Sequence, residues 1–322
     1  LSNFRRGSCP SESPLKKEKR CCLELVVLGS AAGGGLPQWN CAGGQSKSVW
    51  SKERPPQTQA SVAVGSPNDG YVVINASPDL RQQIIATPQL HPTQDGAVFR
   101  NTPIKAVIVT NADVDNVAGL LNLREKQAFR LYGPRKVLDI LEDNNIFSVL
   151  DPAFVSQQSL EANQIVSPIP GLMIELFNVP GKAPLYLEDS LGIESGDLGF
   201  TSGIEVQTDD SSALIISSCA HLNDALKERI ARVDYLLFDG TVFHDDEMCR
   251  LGLGDKTGTR MGHLAISGEF GPINELADYP LKRKIFFHIN NSNPIWDETS
   301  NEFALIQKAG WEISHDGMVV RL

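Results

Sequence analysis

One stretch of sequence decides how the fold of this chain is interpreted: Val107-Ile108-Val109-Thr110-Asn111-Ala112-Asp113-Val114-Asp115-Asn116-Val117-Ala118-Gly119-Leu120-Leu121. Its apolar, β-branched beginning predicts a buried strand, and the segment Val117–Leu121 can begin a helix. The polar residues between these two segments therefore lie where a strand ends. In α/β folds, ligand-binding and catalytic residues commonly lie at this edge.

The polar residues of this stretch have two interpretations. Asp113 and Asp115 can offer oxygen ligands to one cation, with Asn111 and Asn116 adding neutral amides. Alternatively, Asp113 and Asn116 only cap the helix that follows. A pair of aspartates separated by one residue does not distinguish these interpretations, because the motif is common by chance. The residues at other strand ends of the chain are needed to distinguish a cation site from helix capping.

Three further polar residues adjoin glycines or strand ends. Asp239 follows the apolar run Tyr235–Phe238, His288 follows Lys284–Phe287, and His263 stands beside a glycine. A single histidine of this kind is usually a hydrogen-bonded structural residue. Carboxylates gathered at one rim, however, are costly unless a cation compensates their charge. We therefore predict that Asp115, Asp239, His263 and His288 converge on one metal site.

Composition limits the class of protein. The chain has 322 residues, 41% of them hydrophobic, and a formal net charge of −10, which argues against a nucleic-acid-binding protein. No apolar run is long enough for a membrane span. Six cysteines without a C-x-x-C motif favour reduced thiols and a cytoplasmic location. Residues 1–22 are basic and predict a disordered leader, and residues 23–322 predict one domain.

The predicted elements alternate between strands and helices. Leu23–Leu28 is a strand that enters the loop Gly29–Gly35, whose glycines allow close packing of another segment. A hairpin and several strand-and-helix units follow. Near the end of the chain, Thr299 and Glu302 form the capping-box pattern of a helix, and a final hairpin is predicted after it.

Five segments carry a resemblance to a known family. They are Gly29-Ser-Ala-Ala-Gly-Gly-Gly-Leu-Pro-Gln-Trp-Asn-Cys41, Asn75-Ala-Ser-Pro-Asp-Leu-Arg81, Asp239-Gly-Thr241 with Asp245-Asp-Glu-Met248, Met261-Gly-His-Leu264 and His288-Ile-Asn-Asn-Ser-Asn-Pro-Ile295. Together they resemble the coenzyme PQQ synthesis protein B family, in order, from about Leu23 to Leu322. The resemblance implies an α/β fold, the αββα sandwich of metallo-β-lactamase type, with a metal site at the strand-end edge between two sheets.

The resemblance also implies a function in the biosynthesis of pyrroloquinoline quinone (PQQ). The expected reaction is metal-dependent oxygenation of the tyrosine ring of a peptide-derived Glu-Tyr precursor, with Fe(II) as the cofactor. A non-catalytic carrier of PQQ or its precursor toward the periplasm is the alternative. The expected partner is a small-molecule or dipeptide-like quinone precursor, without nucleic acid or a membrane span, and the sequence leaves homo-oligomerisation open.

The resemblance assigns roles to individual residues. It implies a catalytic role for Asp115, Asp239, His263 and His288. It also implies that four residues of the matching segments bind substrate: Asn290, Asn293, Asp245 and Thr241. Independently of the resemblance, the carboxylate of Asp113 is expected to join the four clustered residues as a metal ligand.

Two departures from the family pattern affect the predicted site. Asn116 stands where members commonly have histidine, which replaces an imidazole ligand by an amide and favours the carrier alternative. Cys41 is followed by Ala-Gly-Gly-Gln, where many members continue a cysteine cluster, so structural Zn²⁺ is not expected. Ordinary metallo-hydrolysis is a poorer third interpretation, because the dense histidine cluster of that superfamily is reduced here to Asn111, Asp113, Asp115 and Asn116.

Overall fold

The structure is a computed structural model that describes residues 23–94, 96–188 and 199–322. The predicted leader, residues 1–22, lies outside the described residues. Fourteen strands are present in the described part of the chain. In chain order they are β1 (Glu24–Gly29), β2 (Ser61–Ser66), β3 (Gly70–Ile74), β4 (Ile104–Ile108), β5 (Phe129–Gly133), β6 (Val155–Ser159), β7 (Ile165–Ile169), β8 (Leu172–Asn178), β9 (Ser202–Gln207), β10 (Ser212–Ile216), β11 (Tyr235–Asp239), β12 (Arg283–Phe287), β13 (Trp311–Ile313) and β14 (Val319–Arg321).

The strands form two seven-stranded mixed sheets of similar design. The first sheet has the order β14-β1-β2-β3-β4-β5-β6, and the second has the order β13-β12-β11-β10-β9-β8-β7. In the first sheet, β3, β4, β5 and β6 are mutually parallel. In the second sheet, β10, β11, β12 and β13 are mutually parallel. Each sheet therefore has an edge at which several strands end together.

Short helices connect these strands. The α-helices of the described chain are α1 (Gly44–Trp50), α2 (Leu80–Ala86), α3 (Val114–Val117), α4 (Arg135–Asp143), α5 (Asp224–Ile230), α6 (Glu247–Arg250), α7 (Pro272–Glu275) and α8 (Asn301–Lys308). Six 3-10 helices are also described: Pro88–Leu90, Ala118–Leu123, Asn145–Val149, Leu185–Leu187, Thr259–Met261 and Pro294–Trp296. No helix of the described residues is long and apolar enough to cross a membrane.

Alternation of side chains along the strands produces three hydrophobic cores. Leu25 and Val27 of β1 point into the core between the two sheets, which also contains Leu237 of β11. Val26 of β1 instead packs with the helices that cover the first sheet. Phe238 of β11 packs with the helices that cover the second sheet. Successive residues of a strand face opposite sides, so this pattern gives four layers and confirms the predicted αββα sandwich.

Two details of the predicted C-terminal region are wrong. β13 and β14 do not form a hairpin, because β13 pairs with β12 in the second sheet and β14 pairs with β1 in the first. The N-cap of α8 is Ser300, whose side chain accepts a hydrogen bond from the backbone nitrogen of Phe303 at 3.0 Å. The hydroxyl of Thr299 donates to Asp297 instead.

Candidate metal centre

The candidate site lies where the two sheets meet at their strand-end edges. The stretch after β4 is held to the second sheet by the backbone, since the nitrogen of Ser202 donates to the carbonyl of Thr110 at 3.0 Å. Asn75, which follows β3, accepts from the Thr110 nitrogen at 2.9 Å and lies 3.4 Å from the Ser217 hydroxyl, which follows β10. These contacts bring residues after β4 within reach of residues after β11 and β12.

Asp239 is the fully buried acid of the site. It ends β11 and has an exposed fraction of 0%. Its Oδ1 atom accepts from the hydroxyl of Thr241 at 2.7 Å, and its Oδ2 atom accepts from the backbone nitrogen of Cys219 at 3.0 Å. The same Oδ2 atom lies 2.8 Å from Nδ1 of His263. A buried carboxylate needs such partners, because unpaired burial of a charge is costly.

The two predicted histidines stack beside one another. Their ring centroids are 5.3 Å apart, with an angle of 22° between the ring planes. The Thr241 hydroxyl lies 3.0 Å from Nδ1 of His263 and 2.9 Å from Nδ1 of His288. His288 has φ 56°, a left-handed conformation that is uncommon for residues other than glycine. The hydroxyl of Thr241, which was predicted to bind substrate, therefore contacts the Nδ1 atoms of both rings.

Asp115 joins this group from the first sheet. Its Oδ2 atom is 3.1 Å from Nε2 of His288. Burial by itself raises the pKa of Asp115, but the hydrogen bond and charge of His288 outweigh it, so the pKa is lowered. Burial lowers the pKa of His288, whereas Asp115 raises it more, and the net direction is upward. Both directions indicate an ion pair between Asp115 and His288.

The glycine loop after β1 packs against this acid. A Cβ atom at Gly33 would lie 3.4 Å from Oδ2 of Asp115, and one at Gly29 would lie 2.1 Å from the carbonyl oxygen of Gln59. The loop thus permits the close approach that its glycines predicted.

Asp113 is held differently from the other predicted ligands. Its Oδ1 atom accepts from the backbone nitrogen of Leu185 at 3.3 Å. Burial raises the pKa of Asp113, and the negative charge of Asp115 raises it further. Asp113 is also the N-cap residue of α3, although its side chain accepts no capping hydrogen bond there. The simple capping interpretation of Asp113 is therefore not what the structure shows.

Asn111 and Asn116 are buried beside the aspartates. The Asn116 side-chain nitrogen donates to Oδ1 of Asn111 at 2.6 Å, and that oxygen also accepts from the backbone nitrogen of Asp113 at 3.0 Å. The Oδ1 atom of Asn116 is buried and has no hydrogen-bond partner among the described residues. A buried polar atom without a partner is costly, and a cation is one way to satisfy it.

A cavity of about 370 Å³ lies at this site. Its lining includes the predicted residues Asp113, Asp115, Thr241, His263, His288 and Asn290. Asp239 is not part of this lining and contacts the lining residues Thr241 and His263. The side-chain nitrogen of Asn290 donates to Ser292 at 2.7 Å, so the amide is partly engaged within its own loop. The volume lies within the range of small-molecule sites.

Two predicted substrate-binding residues do not line this cavity. Asp245 accepts from the backbone nitrogen of Thr259 at 2.7 Å and from its hydroxyl at 2.9 Å. Asn293 is fully buried, donates to the carbonyl of Gly240 at 2.9 Å and caps the 3-10 helix Pro294–Trp296. The side chains of Asp245 and Asn293 are already engaged in hydrogen bonds to the backbone of neighbouring loops. They therefore stabilise loops around the site.

Sequence reasoning missed two lysines. Lys182 and Lys256 line the same cavity. Lys182 follows β8, which runs parallel to β10, so its position after a strand end was a usable signal. Lys256 lies in a polar loop where the sequence offers no comparable signal.

The donor set fits a metal ion. Asp239, His263 and His288 each offer one ligand atom, and these atoms lie within 4.8 Å of one another. Two imidazoles and a carboxylate form the type of three-residue set that leaves a coordination position open for water or substrate. The unpartnered Asn116 oxygen and the additional charges of Asp113 and Asp115 in the same cavity also favour a cation.

The comparisons define the class of protein. Residues 71–289 match the model of the β-lactamase superfamily domain. A diphosphatase from the PhnP family, 18% identical, superimposes with a TM-score of 0.64 and covers 93% of this chain and 98% of its own, which shows the shared fold. The fold is therefore the metallo-β-lactamase sandwich that the resemblance implied.

Proteins with higher sequence identity identify the family within this superfamily. Coenzyme PQQ synthesis protein B from Methylobacterium nodulans is 44% identical over 302 residues, which cover 93% of this chain and 100% of that protein. The crystal structure of Zn(2+)-bound PqqB from Methylobacterium extorquens is 46% identical, has a TM-score of 0.89 and covers 93% of this chain and 100% of its own. The chain belongs to the coenzyme PQQ synthesis protein B family, and its role is in PQQ biosynthesis.

The crystallised relative corrects the cofactor prediction. That prediction named Fe(II) and did not expect structural zinc. The relative is described as bound to Zn(2+). The expectation of iron without zinc is therefore wrong. Its argument considered only how imidazole and carboxylate ligands suit iron, and the same donor types also bind zinc.

Proposed function

We propose that this chain binds zinc through Asp239, His263 and His288 and uses the site to act on a small, tyrosine-derived precursor of PQQ. The observation that carries the proposal is the convergence of these three side chains, whose ligand atoms lie within 4.8 Å of one another, beside a cavity that His263 and His288 line and that can hold a small molecule. The zinc-bound relative supports the choice of metal. Bound zinc would supply Lewis-acid polarisation of an oxygen atom of the precursor.

The residues around the site have distinct tasks in this proposal. Thr241 contacts Nδ1 of both histidines and so holds their rings in orientation, as partners beyond the ligands commonly do. Asp115 takes or holds a proton at Nε2 of His288 when that nitrogen is not a ligand. The glycine loop, through Gly33, closes one wall of the cavity.

Zinc binding is tested first. Titration of metal-stripped protein with Zn²⁺, followed by calorimetry, should give one tight site in the wild type. His263→Ala should weaken this binding by at least about tenfold, because one of three ligands is lost. His315→Ala is the matched control, since His315 is exposed and its ring contacts the backbone carbonyl of Asp316, while its own carbonyl accepts from the Met318 nitrogen and is kept in the variant. Equal affinity in the wild type and His263→Ala would contradict the proposed ligand set.

Catalysis is distinguished from the carrier alternative by turnover. Zinc-loaded protein is incubated with a synthetic cross-linked Glu-Tyr precursor, and the products are followed by mass spectrometry under ¹⁸O₂ and in H₂¹⁸O. Multiple turnovers that His263→Ala abolishes support an enzyme. Label from H₂¹⁸O in the product would indicate attack by water, whereas label from ¹⁸O₂ would require a redox-active group besides zinc, because Zn²⁺ has no redox chemistry. Stoichiometric, metal-dependent retention of an unchanged precursor would instead support a carrier.

A further inference from the structure

We propose that Lys182 and Lys256 form a carboxylate-binding subsite at the metal cavity, and that Glu188 occupies this subsite until a carboxylated ligand displaces it. The inference rests on the proposed function, which makes a small PQQ precursor the ligand of this cavity. It adds the chemical class of the part of the ligand that lies away from the metal. It also identifies Glu188 as an internal group that competes with the ligand for the two lysines.

The ion pairs define the subsite. Nζ of Lys182 lies 2.6 Å from Oε1 of Glu188, and Nζ of Lys256 lies 2.6 Å from Oε2 of the same carboxylate. Each oxygen of one carboxylate therefore receives one ammonium group. Two lysines and one glutamate leave one positive charge in excess within this cluster, although the Lys182 charge also acts on Asp113 in the same cavity. The two ammonium groups can therefore hold one carboxylate, either that of Glu188 or that of a ligand.

The lysines belong to the wall of the metal cavity. Both line the cavity together with His263 and His288. The stem of Lys182 packs on the turn before His263, because a Cβ atom at Gly262 would lie 3.0 Å from Cγ of Lys182. Gly262 also has φ 85°, which favours glycine. The backbone therefore leaves space for the Lys182 stem directly beside a proposed metal ligand.

Glu188 occupies the position that we propose for the carboxylate of a ligand, and its burial and charge are consistent with this role. Its side chain is 20% exposed, and the side chains of Lys182 and Lys256 are 15% and 40% exposed. Burial opposes the charge of Glu188, but the two lysines outweigh this effect and lower its pKa. The carboxylate is thus charged at neutral pH, and a ligand carboxylate can take over the same two charge-assisted hydrogen bonds.

PQQ and its trimethyl ester are the test ligands. PQQ is a tricarboxylate, and the ester keeps the ring system without the charges. Binding to zinc-loaded protein is measured by fluorescence titration for the wild type, Glu188→Gln and the double variant Glu188→Gln/Lys256→Met. Lys308→Met serves as the control, because Lys308 is an exposed lysine at the end of α8. Circular dichroism checks that each variant folds.

The expected results have opposite signs. Glu188→Gln should bind PQQ about tenfold more tightly, because the subsite no longer has to release its own carboxylate. Lys256→Met in the Glu188→Gln background should bind PQQ about tenfold more weakly than Glu188→Gln alone, because one charge-assisted hydrogen bond to the ligand is lost and no internal carboxylate is weakened with it. The ester should bind all variants equally. Binding of PQQ to Glu188→Gln but not to the wild type would also support the inference.

Other outcomes overturn the inference. Equal PQQ affinity in the wild type, Glu188→Gln and Glu188→Gln/Lys256→Met would do so while leaving the proposed zinc site intact. Zinc binding without PQQ binding in both the wild type and Glu188→Gln would also exclude the subsite. If the wild type does not bind zinc, the proposed function is contradicted instead. The Zn²⁺ titration measures zinc binding separately from PQQ binding.

Discussion

The Nε2 atom of His288 lies 3.1 Å from Oδ2 of Asp115, although the two residues are 173 positions apart in the chain. His288 follows β12 of the second sheet, and Asp115 lies beyond β4 of the first. This pair therefore joins the two halves of the sandwich at the candidate metal centre. It also links the protonation of the site to the stability of the fold.

The stability of the metal-free protein should depend on pH through this pair. The pKa of His288 is raised in the folded state, so its contribution is fully present below its ordinary value of 6.5 and is lost as pH rises through the folded pKa. The pKa of Asp115 is lowered from 3.8, so this acid stays charged across that range. Asp115→Asn should therefore lower Tm more at about pH 6 than at about pH 9. Thermal unfolding of metal-stripped wild type and variant measures this difference, and equal Tm differences at both values would refute the ion pair.

Asn116→His should tighten zinc binding by about tenfold, because an imidazole nitrogen is a better zinc ligand than an amide oxygen. The buried, unpartnered Oδ1 atom of Asn116 marks a position from which a ligand can reach the cavity. Asn144→His, at an exposed position after α4, is the matched control. The measurement is competition with a chromogenic chelator. Unchanged affinity in Asn116→His would show that residue 116 is not at a ligand position.

Gly119→Ala should destabilise the protein by about 1–3 kcal/mol, because the core around residue 119 is overpacked by an added methyl group. A Cβ atom there would lie 2.0 Å from the carbonyl oxygen of Ser77, so the backbone must shift. Gly43→Ala is the control, since a Cβ atom at Gly43 meets no atom within 4 Å. Urea unfolding of both variants compares the two sites, and equal stability would contradict the described packing.

Ser300→Ala should lower the free energy of unfolding by about 1 kcal/mol, the usual cost of losing an N-cap side chain. Ser300 caps α8 through its contact with the Phe303 nitrogen. Thr299→Ala should cost less, because the exposed Thr299 hydroxyl contacts only Asp297 in the same turn. Chemical denaturation distinguishes them. A larger loss for Thr299→Ala would restore the capping box predicted from the sequence.

The sequence by itself determined the local features of this protein. Alternating and continuous apolar runs predicted most strands, since side-chain period and burial are local properties. Polar residues after β4, β11 and β12 predicted a shared site, and the structure brings Asp115, Asp239 and His288 together. The roles proposed for these residues stay predictions until metal binding is measured.

Only the tertiary structure decided which polar residues face the cavity. Asn293 and Asp245 lie in the recognised motifs, but backbone groups of neighbouring loops occupy their side chains. Lys182 and Lys256 belong to no recognised motif, yet both reach the cavity. The placement of β13 and β14 in different sheets was likewise decided by the tertiary structure. Strand partners and cavity walls depend on contacts between distant segments, and the hydrophobic period of one segment carries no information about them.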